Sequence, residues 1–200
     1  AARMTAGKAI TMLGCLVMPL NLWFYDAQGL ITLDQGGHLW VPAVVCCLIY
    51  AAVARLLADP KFVYAIVGGV TMTGLLLLAD QHVSRFWEIM SPSALLVVIG
   101  MVCIHAERAF APGSGPFSRE RFGQAFFHAG HTVLAGGLLL LLGGRLAGLF
   151  YEAFFVDLGW CAKPLVSTQT NLKAFALLLA MSGAYSYVYS QLVVKARGRY

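Results

Sequence analysis

The sequence predicts an all-α, polytopic membrane protein of about six transmembrane helices arranged as three helical hairpins. Two features of the composition carry that expectation. Of 200 residues, 60% are hydrophobic and 12% charged, against about half and about a quarter in soluble domains. The charges are also bunched, which leaves six uncharged runs of 17 to 23 residues. A hydrocarbon core of about 30 Å needs roughly 20 helical residues at about 1.5 Å each. Each run can therefore cross, the shortest with help from its flanks, and six such runs cannot all be hidden inside a soluble core of this size.

The expected spans lie near 9–25, 38–56, 62–79, 88–106, 122–144 and 174–194. The first contains Pro19 and Asn21, the nearest thing to an interruption, and runs on through Leu20, Trp23 and Phe24 without a small-residue cleavage site, unlike a secretory leader. The second and fourth each place a proline, Pro42 and Pro92, in the first turn, where the missing donor costs little. Ala58-Asp59-Pro60 breaks the chain between the second and third spans, and the run from Ala111 to Pro116 breaks it between the fourth and fifth. Gly14, Gly68-Gly69 and Gly136-Gly137 sit midway along the odd-numbered spans, a faint sign of a repeated hairpin. The fifth span is crowded with Gly130, Gly136, Gly137, Gly143, Gly144 and Gly148, which permit close approach of a neighbour. The sixth carries Ser182, Tyr185, Ser186, Tyr187, Tyr189, Ser190 and Gln191, a polar ladder suited to interhelical hydrogen bonds or to a pore. Residues 1–200 are read as one domain. A chain that opens on Ala1-Ala2-Arg3 and stops just past the last span also fits a fragment of a longer polypeptide.

With six spans, ten of the fourteen basic residues fall on the side of the termini, giving that side about +7 and the other about −2. The positive-inside rule then places both termini in the cytoplasm. The basic balance is explained by anionic headgroups, without nucleic acid. Trp23, Trp40, Trp87 and Trp160 fall at the opposite, outer level, as an aromatic belt does.

Chemistry has few candidates. The five cysteines show no CxxC spacing, and four lie inside spans, so they read as packing residues. His105, His128 and His131 lie toward the inner ends of the fourth and fifth spans, and the last two, three apart, share a helix face. They are the candidate cofactor-binding residues, His105 with His131 foremost, for haem b held between helices or for a metal ion. The outer side gathers Asp34, His38, Asp80, His82, Glu88, Glu152 and Asp157, a candidate cation or proton site or partner surface. Glu88, set among apolar neighbours, is the acid there whose desolvation would matter. No span carries an acid, lysine or arginine near its middle, which disfavours a coupled transporter. No Walker loop, GxSxG elbow, HExxH pair or nucleotide fingerprint is present, so no catalytic residue is assigned. The expected function is an anchor, assembly or interaction module among membrane lipids and other membrane subunits or the rest of a longer chain. The alternatives are a haem- or metal-binding electron-transfer subunit and a small carrier or channel.

Overall fold

The described part of each apolar run found in the sequence falls on a helix. The computed structural model describes residues 2–30, 38–80, 92–151, 153–154, 172–189 and 191–192. In chain order these form α1 (Ala2–Ala27), α2 (Trp40–Leu57), α3 (Lys61–Ala79), α4 (Pro92–Ala106), a 3-10 turn (Glu107–Ala109), a π turn (Arg119–Gly123), α5 (Gln124–Tyr151) and α6 (Leu172–Tyr189). Among the described residues there is no strand, and the fold class is all-α. Among the described residues, five helices, α1 to α5, are long and apolar enough to cross a membrane.

Local chemistry sets the boundaries. Pro42 lies in the first turn of α2, and Pro92 is the first residue of α4. The α2–α3 corner turns at Ala58, which takes a left-handed φ of 50°, and the Asp59 carboxylate then accepts the Lys61 backbone N–H at 3.0 Å to start α3.

α1 runs unbroken through Pro19, so the expected weak point is not an interruption. Proline has no N–H, and the carbonyl four residues earlier, Cys15 O, loses its intrahelical donor. The Tyr50 hydroxyl of α2 supplies one instead, at 2.7 Å. Inside a bilayer no water would serve, so the defect in one helix becomes a tie to the next.

α4 and α5 make the tightest pair. A Cβ on Gly130 would stand 2.7 Å from Ile104 N and 2.8 Å from Gly100 O, and one on Gly100 would stand 2.7 Å from Leu134 N. One on Gly137 would lie 3.1 Å from Ser93 O. Gly123, Gly130 and Gly137 recur at sevens, and Glu107, Gly100 and Ser93 oppose them at sevens in reverse order. That is the period that keeps one face of each helix on a left-handed, antiparallel seam. A core of Phe62, Val63 and Val67 from α3 with Leu95, Ile99 and Cys103 from α4 packs beside it, and a second of Val97, Ile104, Phe127 and Leu134 takes in Tyr189 of α6. The outward faces stay apolar: Ile10, Leu13, Leu16 and Leu20 of α1 and Leu139, Leu140 and Leu142 of α5 are exposed, as lipid-facing residues would be.

Candidate functional site

Two places bring polar side chains together, one at each end of the bundle. The first lies where α4 ends. His105, in its last turn, is half-buried between Tyr185 and Tyr189 of α6, with ring centroids 5.1 and 5.3 Å away. Two residues on, Glu107 is 0% exposed, and the Tyr189 hydroxyl donates to its Oε2 over a long 3.4 Å. The Arg108 guanidinium lies 5.1 Å from the centroid of the Tyr189 ring, within cation–π range. Gly123 makes the burial of the acid possible: a Cβ there would fall 3.1 Å from both Glu107 Cγ and Glu107 O. A carboxylate out of water needs partners, and the seam that admits it also brings a tyrosine within reach.

The three inner histidines have different surroundings. His131 Nδ1 lies 2.9 Å from Phe127 O. A carbonyl only accepts, so Nδ1 is the donor, and in the neutral ring the lone pair is then on Nε2. The Phe127 ring sits 4.3 Å from His131 and 6.1 Å from Tyr189. His128 is exposed, edge-on to Phe127 at 5.7 Å. A continuous row of rings, His131–Phe127–Tyr189–His105, thus connects the two half-buried imidazoles. Among the described residues no three His, Cys, Asp or Glu side chains are grouped to hold a metal ion.

Glu107 was legible in the sequence only as a flanking charge. The signal that marks it is its place seven residues beyond Gly100 and opposite Gly123.

The second place is the outer end of the α2–α3 hairpin. The Asp80 carboxylate, 1% exposed, accepts the His38 imidazole at 2.7 Å and the Trp40 indole N–H at 3.0 Å, both on Oδ2. The two donors flank the start of α2 and the acceptor ends α3, so the trio clasps the open end of the hairpin. Trp40 thus bonds within the hairpin, whereas Trp23 is exposed on α1. Of the other outer residues singled out in the sequence, Asp34, His82, Glu88, Glu152, Asp157, Trp87 and Trp160 lie outside the described residues, as do Cys161 and Ser190. Cys15, Cys46, Cys47 and Cys103 are free thiols.

Comparison with known protein families, with curated proteins and with solved structures finds no match to this chain.

Proposed function

We propose that the chain is a multi-pass membrane module that anchors and assembles, joining other membrane subunits or the rest of a longer polypeptide, with six spans in three hairpins and both termini in the cytoplasm. The observation that supports it most is where the interior polar groups point. Tyr50 serves the Cys15 carbonyl, Trp40 and His38 serve Asp80, Tyr189 serves Glu107, and Ser186 serves the Ser182 carbonyl at 2.8 Å. The first three tie helix ends or helices together, the use of polar side chains that assembly in a bilayer favours, and Ser186 donates to a carbonyl of its own helix; the buried Tyr185 hydroxyl has no such partner among the described residues. α6, the sixth span of this reading, has part of its polar half occupied in this way.

One observation favours the second reading, a haem- or metal-binding electron-transfer subunit. With Nδ1 of His131 committed to a carbonyl, Nε2 is oriented as a ligand nitrogen is in many metal sites. Against it, Phe127 and Tyr189 occupy the row between His131 and His105, where a flat macrocycle would have to lie. The absorption spectrum and metal content of protein extracted from membranes separate the two. The assembly reading expects no Soret band and no stoichiometric metal, together with cross-linked species larger than the monomer in intact membranes. A Soret band lost on His131→Ala would overturn it in favour of the second reading, and a monomer under all cross-linking conditions would overturn assembly.

A further inference from the structure

The inference concerns the groove that α1 leaves beside the α2–α3 hairpin, and it rests on the membrane reading of these helices. The Tyr50–Cys15 bond ties α1 to α2, and an open groove of about 290 Å³ lies next to it. Met12, Cys15 and Leu16 of α1, Tyr50 of α2 and Phe62 and Ala65 of α3 line it, together with Lys61 at the start of α3. The lining is almost wholly apolar, as contact with an acyl chain requires.

The charge at the mouth identifies the occupant. α1 and α3 both enter the bundle from the end that carries Lys8 and Lys61, since α2 returns between them. Lys8 stands one turn before Met12 and two before Cys15, on the groove side of α1. Arg55, in the last turn of α2, adds a third cation at this end. The acid nearby, Asp59, has one carboxylate oxygen on the Lys61 backbone N–H, and Lys61 itself is exposed. An apolar slot lying in the hydrocarbon layer, with an excess of lysine at headgroup depth, matches a two-part ligand that is apolar along its length and anionic at one end. We infer that this groove binds a phospholipid of the adjoining leaflet, its acyl chain along α1 and α3 and its anionic headgroup on Lys8 and Lys61.

The test is retention of lipid by the full chain. Protein reconstituted into vesicles of equal phosphatidylglycerol and phosphatidylcholine is re-extracted in mild detergent, and co-purifying lipid is measured by native mass spectrometry. The wild type is expected to retain phosphatidylglycerol over phosphatidylcholine, and each lysine to contribute about a fivefold preference. Lys8→Gln with Lys61→Gln should abolish the preference and leave some of both lipids. Ala65→Trp, which fills the slot, should remove both, and if that variant does not fold, the lysine pair decides. Arg121→Gln removes an exposed cation elsewhere and should change nothing. Equal retention by the wild type, a preference that survives loss of both lysines, or one lost equally in Arg121→Gln would overturn the inference. A chain that leaves the vesicles without detergent would overturn the membrane reading itself, whereas one that stays but shows no preference overturns the lipid site alone.

Discussion

Gly130 and Gly136 are six residues apart on α5 and chemically identical, yet they face different surroundings. A Cβ on Gly130 meets backbone atoms of α4 at 2.7 and 2.8 Å, and backbone cannot move aside as a flexible side chain does; one on Gly136 meets nothing within 4 Å. Gly130→Ala is therefore expected to cost about 1–3 kcal/mol through overpacking. Gly136→Ala should be neutral or gain about 0.4–1 kcal/mol by restricting the unfolded chain. Unfolding of the detergent-solubilised protein by titrated denaturing detergent measures both, and equal costs would mean that the helices do not meet at Gly130. The sequence showed that the fifth span was rich in glycine, but not which glycines lay on the seam. That depends on the partner's register, visible only once Ser93, Gly100 and Glu107 are seen to oppose Gly137, Gly130 and Gly123. The same limit hid the pairing of His38 and Trp40 with Asp80: all three were legible as outer-end residues, but their meeting is a property of two helix ends some forty positions apart.

At the level of elements, the helices are held by compensated defects as well as by apolar packing. Pro19 deprives Cys15 O of its donor, and Tyr50 replaces it from the next helix. Sequence reading flagged Pro19 for its effect on α1 alone, since nothing in the neighbourhood of a proline says which side chain will answer it. Tyr50→Phe should cost about 0.6 kcal/mol, and up to about 1.7, the range measured for interhelical hydrogen bonds in a membrane protein. In a Pro19→Ala background the restored N–H can bond Cys15 O within the helix, and the same Tyr50→Phe change should cost much less. The two singles and the double form a cycle whose coupling energy isolates the substitution of one donor for the other. If Tyr50→Phe costs the same in both backgrounds, the hydroxyl is not standing in for the missing N–H.

For the whole molecule, the proposed six spans put both termini on one side only if α6 crosses with the five helices before it. The uncharged runs were legible from composition and charge spacing, and the helices follow them closely. Charge cannot by itself settle the last one, since α6 is apolar in its first half and carries Ser182, Tyr185, Ser186, Tyr187 and Tyr189 in its second. Exposed to hydrocarbon, those groups would oppose insertion; bonded, they need not. Ser182 is buried, Ser186 donates to the Ser182 carbonyl, and Tyr189 is buried against α4 and reaches Glu107. With those bonds made, α6 is able to cross beside α4 as the proposed six spans require, its tyrosine-rich end beside Glu107 and Arg108, the end that the positive-inside rule assigns to the cytoplasm. Reporter fusions at Tyr200 and in the loop near Gly115 should then both report cytoplasm, and one near Asp157 the opposite side. If Gly115 and Tyr200 disagree, α6 does not cross, and Tyr189→Phe gives the reason a physical test. A helix that enters the bilayer because its hydroxyls are paired should become less firmly placed when one is removed, so the variant should raise the share of chains whose Tyr200 reporter reads as external. A variant with unchanged topology and unchanged stability would mean that α6 is held by its apolar half, with the Glu107 contact incidental to its placement.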